Sequence, residues 1–436
     1  MSEGRHTINT DSNNTVSRRT FLKAGATASA ATLMGSAPKA FARGSDTMRI
    51  ALIGCGSRGT DAAKNCLSSS SGVELVAMAD MFPDRMNASL AALRKEFPQK
   101  IKVGPETRFF GFDAHQKVIA LDNVDIVLLC TPPGFRPQMV RAAVEGGKHI
   151  FMEKPGAVDP TGVRSLMDSA GMADKQGLSI VVGTQQRWQP HYREIIKRIQ
   201  DGQLGQIVGG QAYWHWGHAH WHFEKRKPEW SDMEWQIRCW PYFTWLSGDH
   251  VVEQHLHNMD ILNWAIGSHP VSCMGFGGRQ ARTGPEYGNI FDHFSVEYEY
   301  PGGIRVTSSC SQIEGSSSRV GERVVGSKGW TFTTRANGKI EGENAFSYEK
   351  KIVSGLVEEH AGLIKSIRNN QPINECRRLA ETTMTMIIGR MSAYTGRQLK
   401  WNWAMRSSKL DLSLARYAMG DLPVGPVAIP GKTKLS

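Results

Sequence analysis

Two sets of residues in this chain have types and spacings that could carry chemistry. The first is Gly54-x-Gly56-x-x-Gly59, with Asp80 standing 21 residues after the last glycine. Glycines so spaced allow a tight turn, a close backbone approach to a pyrophosphate and a closely packed helix; a carboxylate about 20 residues on holds a ribose hydroxyl. The second is Glu253, His257 and Asp260, at i, i+4 and i+7 of a stretch over residues 252–266 that reads as one helix, so all three share a face. A carboxylate one turn from an imidazole orients the ring and stabilises its protonated form. Lys154, within Glu153-Lys154-Pro155, supplies a cation. Such a trio also occurs on solvated helix faces and in satisfied core networks. The nucleotide motif and the lysine are what make it a candidate site.

The sequence between these residues predicts the elements that position them. A short apolar run over residues 50–53 breaks at Gly54, and a helix-compatible segment, 60–67, follows. A second run, 73–79, ends at Asp80. Then come a helix over 83–97, a near-continuous apolar run over 124–130 ending at Thr131-Pro132-Pro133, and a helix over 137–145. A strand over 149–152 leads into Glu153-Lys154; a helix over 160–175 and a strand over 178–182 complete the alternation. Apolar strands between helices signal a parallel sheet buried on both faces, with ligands beyond the carboxyl ends of its strands. Thr131, Pro132, Glu153 and Lys154 stand at such ends. With Gly54, Gly56, Ser57, Arg58, Gly59 and Asp80 they form the candidate cofactor site.

From residue 185 the texture changes. A helix over 192–199, an alternating strand over 207–216 and the helix over 252–266 precede five strand-like runs between 271 and 334, split by Gly, Pro and Ser turns. Residues 357–395 read as helical, and the Pro/Gly-punctuated tail from 407 as an extended arm. The fold class is α/β: an N-terminal doubly wound Rossmann domain (47–183), then a C-terminal α+β domain with a largely antiparallel open sheet (184–403), then the arm (404–436).

Composition narrows the class. Hydrophobic content of 40% and charged content of 21% suit a globular protein. No apolar run approaches the roughly 18 residues of a membrane span, so no integral span is expected. The net charge is +11, but the basic residues are scattered, with Glu224-Lys225-Arg226-Lys227 the one notable cluster, so no nucleic-acid partner is expected. The seven cysteines lack a C-x-x-C pair and several lie in apolar runs, which predicts buried thiols. Ser17-Arg18-Arg19-Thr20-Phe21-Leu22-Lys23, a mild apolar stretch over 24–34 and Ala40-Phe41-Ala42 look like a twin-arginine signal over residues 1–42. The expectation is export in folded form by the twin-arginine machinery to the periplasm or cell envelope.

The cofactor motif, Glu153-Lys154-Pro155 and a helical carboxylate-x-x-x-His with Asp three residues on together resemble the Gfo/Idh/MocA oxidoreductases, over roughly residues 48–403. The segments Gly111-Phe112-Asp113-Ala114 and Gly248-Asp249-His250-x-x-Glu253-Gln254-His255 are similar to an exported branch of that family. The resemblance implies NAD as cofactor and Lys154 as the group touching both substrate hydroxyl and nicotinamide. It implies His257 as general acid/base, supported by Asp260. At Glu253 many members have aspartate, and near Arg136 many have histidine, so this chain departs from the pattern at both. The implied activity is oxidation of a sugar, glycoside or cyclitol hydroxyl. The alternative is an NAD-dependent glycosidase working through transient oxidation and elimination, and a non-catalytic sugar-binding protein is the third class. Asp80 followed by Met81-Phe82 offers nothing to a 2′-phosphate, which favours NAD over NADP. Residues 214–245 hold seven of the twelve tryptophans, suited to stacking on pyranose faces. Arg187, Trp214, His218 and Arg238 are the candidate substrate contacts. His218, His220 and His222 alternate, but the resemblance implies no catalytic metal. A homo-oligomer formed through the C-terminal sheet is expected.

Overall fold

The computed structural model describes residues 47–217 and 223–436; the expected signal (1–42) and His218 lie outside the described residues. Strands β1 (Met48–Ile53), β2 (Val73–Asp80), β3 (Arg108–Phe110), β4 (Ile126–Leu129), β5 (His149–Met152) and β6 (Ile180–Val182) form a sheet in the order β3-β2-β1-β4-β5-β6. Every pairing in it is parallel. The order reverses at β1, which pairs with both β2 and β4, and this opens a crevice at their carboxyl ends. Side chains alternate between two apolar layers. Ile50, Leu52 and Leu75 pack under the helices Ser57–Ser69 and Pro83–Glu96. Ala51, Ile53 and Val127 pack under Arg136–Glu145 and Pro160–Gln176. Helix Gly355–Arg368, far along the chain, joins the first layer through Leu363, Ile364 and Ile367.

The second sheet has nine strands: β7 (Ile207–His215), β8 (Ser272–Gly278), β9 (His293–Glu299), β10 (Arg305–Ser311), β11 (Arg319–Gly326), β12 (Gly329–Thr334), β13 (Asn337–Gly342), β14 (Phe346–Ser347) and β15 (Leu399–Lys400). Their order is β14-β13-β12-β11-β7-β10-β9-β8-β15. All pairings are antiparallel except β7 with β10. In β9, Phe294, Val296 and Tyr298 are buried while Ser295 and Glu297 are exposed, so one face meets helices and the other stays open. Strands β3 and β13 to β15 escape the sequence reading because β3 has three residues, β14 and β15 are dipeptides and β13 is mostly polar.

Two helical expectations are corrected. Residues 252–266 are not one helix: His250–Glu253 ends, and Leu256–Ile266 begins after a reset at Gln254-His255. Buried side-chain bonds hold the reset. Gln254 accepts from Gln312 (2.6 Å), and His255 bonds Asn258 (3.2 Å) and Ser308 (2.8 Å). Residues 357–395 form two helices, Gly355–Arg368 and Cys376–Thr395. Between them the chain runs along β6, with Ile180 N–H donating to Ile373 O and Glu375 N–H to Ile180 O.

From residue 407 the chain carries no helix or strand and runs as an arm. Leu412 N–H donates to Asp159 (2.7 Å), Met233 N–H to Gly420 O, and Gln236 to Leu422 O (2.5 Å). All seven cysteines are free and six are buried, Cys130 being partly exposed. Among the described residues no helix is long and apolar enough to cross a membrane.

Candidate active site

The glycine loop has the geometry its spacing predicts. Gly54 sits at φ +96°, and a Cβ there would come 2.7 Å from the Cys130 carbonyl carbon. Gly59 packs so closely that its Cβ would lie 1.8 Å from Gly54 O. Gly56, the N-cap of helix Ser57–Ser69, has no side-chain cap, and a Cβ on it would meet nothing within 4 Å. Its open side is a cavity of about 520 Å³ at the crevice of the parallel sheet. A helix N-terminus with bare N–H groups facing empty space fits a pyrophosphate. Asp80 closes the far side: Oδ2 accepts from Cys55 N–H (2.5 Å) and Oδ1 from Phe82 N–H (2.8 Å). Burial raises its pKa, against the pull of those two donors. The fixed carboxylate, with Met81 and Phe82 beside it on the cavity wall, suits two ribose hydroxyls. The residues present therefore fit a dinucleotide.

Strand ends β4 and β5 supply the next wall, with Thr131, Pro132, Glu153 and Lys154 all lining the cavity. Arg136, almost fully buried, donates to both Thr131 O and Pro155 O and so ties the two strand-end loops together. Burial lowers its pKa to about 10, partly offset by Glu153. Arg58 donates to Glu153 (2.5 Å) and approaches Glu359 (3.5 Å). Burial alone would lower its pKa, but those carboxylates hold it above the ordinary value.

The reacting end lies opposite. Lys154 Nζ donates to the Glu253 side chain (2.6 Å) and to Glu253 O (2.7 Å). The second carboxylate oxygen of Glu253 is buried with no partner among the described residues. His257 stacks on Trp214, with ring centres 6.0 Å apart and planes 20° apart, and its Nδ1 is buried with no hydrogen-bond partner among the described residues. Burial, reinforced by the charge of Lys154, holds its pKa well below the ordinary value. A neutral imidazole beside a cation, on the wall of the dinucleotide cavity, is equipped to take a proton. Asp249 sets the helix carrying Glu253: at φ +73°, its carboxylate accepts from His250 N–H (2.6 Å), Phe291 N–H (2.8 Å) and Tyr394 OH (2.6 Å).

Three sequence-predicted residues are placed elsewhere. Asp260 is not at the cavity with Glu253 and His257. It pairs with Arg187 (2.6 Å) and Arg378 (3.0 Å) and accepts from Thr382 (3.0 Å). Burial would raise its pKa, but the two arginines pull it down to about 2. The reset before Leu256 and these fixed cations make Asp260 a satisfied core group. Arg187 is spent in the same pair and does not line the cavity. Arg238 pairs with Asp84 (3.0 Å) and Glu234 (2.9 Å) and lies 3.9 Å from the centre of the Phe82 ring, again off the cavity wall. Trp214 does line it. So do Gln185, Trp216, Trp240, Gln254 and Arg335. Arg335 was missed because it stands on a polar turn with no motif around it.

The geometry finds counterparts. The description "Oxidoreductase family, NAD-binding Rossmann fold" matches residues 48–184, and "GFO/IDH/MocA C-terminal domain" matches residues 192–332. Inositol 2-dehydrogenase of Rhizobium meliloti (strain 1021) is 30% identical over 161 residues, covering 37% of this chain and 43% of the relative. 2,7-Anhydro-N-acetylneuraminate hydratase of Escherichia coli (strain K12) is 26% identical over 205 residues, covering 47% and 50%. The chain thus spans about half the length of these curated relatives. Among solved structures, aldose-aldose oxidoreductase from Caulobacter crescentus complexed with glycerol has a TM-score of 0.63 at 18% identity, covering 81% of this chain and 99% of the other. Scyllo-inositol dehydrogenase from Lactobacillus casei with bound NAD(H) and scyllo-inositol has a TM-score of 0.61 at 15% identity, covering 82% and 99%. At such identities these two speak for the fold. With both domain descriptions matched in chain order and the glycine loop and Asp80 at the crevice, the chain belongs to the Gfo/Idh/MocA oxidoreductase family, with NAD as its cofactor.

Proposed function

We propose that this protein oxidises a hydroxyl of a sugar, glycoside or cyclitol, with His257 as the base and Lys154 as the cation at the reacting oxygen. The observation that carries the reading is that both side chains face the cavity that the glycine loop and Asp80 open onto. NAD, when bound, supplies the hydride acceptor. His257, neutral through burial, takes the hydroxyl proton, and Lys154 stabilises the oxygen as it gains charge. Glu253 holds Lys154 in place through both a carboxylate and a carbonyl oxygen. Trp214 fixes the plane of the imidazole and offers an apolar face to a ring. The Asp80 carboxylate repels a 2′-phosphate, which supports NAD over NADP.

Kinetics test this directly. Lys154→Ala and His257→Ala should each lower kcat/KM for oxidation by ~10²-fold or more. The double variant should lose much less than the product, because the two groups act on one transition state. NAD affinity should persist in all three. The acid limb of the wild-type kcat/KM profile should lie below pH 6.5, since burial delays protonation of His257 to more acidic pH. Near-normal turnover by the His257 variant would refute the assignment.

Net glycoside cleavage is not favoured. Two of the relatives above are named for dehydrogenation and oxidoreduction. For location we propose the periplasm or cell envelope, reached by twin-arginine export, supported by Arg18-Arg19 and the segments flanking them. Replacing both arginines by lysine should retain the protein in the cytoplasm. Unchanged fractionation would overturn that proposal.

A further inference from the structure

The charges on the cavity wall are nearly all spoken for. Among the described lining residues the cations are Arg58, Arg85, Arg136, Lys154 and Arg335. Arg58 is paired with Glu153, Arg85 with Glu224, and Lys154 with Glu253. Arg136 is consumed by two carbonyl oxygens. Arg335 forms no ion pair and no hydrogen bond among the described residues. Arg335 is an exposed residue of the cavity wall, and its guanidinium lies 5.4 Å from the centre of the Trp214 ring, the ring on which His257 stacks.

The turn that carries Arg335 is held in place. Strands β12 and β13 are joined by the two residues Arg335-Ala336, and Thr334 Oγ1 accepts from both Ala336 N–H and Asn337 N–H at 3.2 Å. The carboxyl acting on Arg335, Glu322, is turned into the core, where it accepts from Asn258 (2.6 Å) and Tyr192 (3.3 Å). Burial raises the Glu322 pKa to about 8, so it carries little charge at neutral pH. A hydrated guanidinium with no carboxylate of its own on a cavity wall is free to pair with an anionic ligand.

We propose that Arg335 binds a carboxylate carried by the substrate, so that the molecule oxidised is an acidic carbohydrate, of the uronate or aldonate type, and not a neutral sugar or cyclitol. The planar guanidinium matches a carboxylate in two parallel hydrogen bonds, and one unpaired cation balances a monoanion better than a phosphate dianion. The identity of this ligand as the reacting molecule rests on the oxidoreductase reading above; its charge rests on Arg335 alone.

The test separates the two. NAD-loaded protein is titrated calorimetrically with D-glucuronate, D-galacturonate and D-gluconate, with glucose and galactose as neutral counterparts, and with glucose 6-phosphate. The same compounds are assayed for NAD reduction. The expected result is at least one acid bound about 10-fold or more tighter than its neutral counterpart. That preference should fall to near unity in Arg335→Gln and be partly kept in Arg335→Lys, with the affinity for NAD unchanged in both. Neutral sugars bound as well as acids, no binding by any acid, or a preference that survives Arg335→Gln would overturn the proposal. Glucose 6-phosphate bound tightest would overturn the carboxylate. An acid preference lost in Arg335→Gln without NAD reduction by any compound would uphold the anion site and count against the oxidoreductase reading instead.

Discussion

At the scale of single residues, the site is defined by which polar groups are satisfied and which are not. Among the described residues, His257 Nδ1 and one oxygen of Glu253 are buried without a hydrogen-bond partner, whereas Asp260, three residues beyond His257, is bonded to Arg187, Arg378 and Thr382. A buried polar group without a partner is costly, so its persistence at a cavity wall marks the place where a ligand completes it. Asp260 should accordingly behave as a structural residue. Asp260→Ala takes from the half-buried Arg187 its carboxylate and leaves Arg378 with Glu375 alone, and should destabilise the fold by about 1–3 kcal/mol, read from denaturant unfolding. The turnover of the remaining folded fraction should stay within a few-fold of wild type. A loss of ~10²-fold with stability intact would return Asp260 to the catalytic group. Because its folded pKa is depressed to about 2, the stability it contributes is fully present above about pH 4 and is lost as pH falls towards 2.

At the scale of elements, one turn and one break do most of the positioning. The turn after β1 gives its last two glycines, Gly56 and Gly59, different tasks. Gly59→Ala would drive a Cβ into Gly54 O, at 1.8 Å, and should cost about 1–3 kcal/mol of stability as well as NAD affinity. Gly56→Ala meets no protein atom within 4 Å and keeps an ordinary φ of −68°, so its melting temperature should hold while NAD binding weakens. Equal melting temperatures for the two variants, or unaltered NAD titration by Gly56→Ala, would contradict this division. The break at Gln254-His255 separates two registers. Glu253, on the short helix capped by Asp249, turns to Lys154, while His257 starts the next helix beside Trp214.

At the scale of the whole molecule, later segments reach back to close the earlier domain. Helix Gly355–Arg368 covers the first layer of the parallel sheet, and Glu359 on it helps hold Arg58. Tyr417 of the arm packs against Phe112 (5.9 Å), Phe135 (5.5 Å) and Trp245 (6.5 Å), and the first two of these line the cofactor cavity. Among the described residues, the outward side chains of the nine-stranded sheet stay exposed or half-buried. On it Arg319 lies 3.6 Å from the Tyr213 ring centre and Arg323 4.7 Å from that of Trp330, with Phe276 58% exposed. A face of aromatic rings and stacked arginines is the composition of subunit interfaces, and we propose a homo-oligomer formed through it. Sedimentation should give a mass of at least two chains, and Trp330→Asp should lower it. A monomer at micromolar concentration would rule the proposal out.

Local pattern determined a large part of this protein. The glycine spacing, the buried strand runs and the stop signals at Gly54, Thr131 and Glu153 follow from backbone freedom and burial over a few residues, and every strand of the Rossmann sheet was legible except β3, a three-residue edge strand. Lys154 and His257 were legible because one ends a strand and the other follows a carboxylate by four residues, although the two stand on separate helices. What tertiary structure alone decided is which charges cancel. Asp260 shares sequence periodicity with His257, yet Arg187 and Arg378, 73 and 118 positions away, remove it from the chemistry. Arg335 sits in an ordinary polar turn, and only the packing of that turn against Trp214 leaves it facing the cavity. Side-chain pairing across long sequence separations is set by where the sheets and helices meet, and no local spacing encodes it.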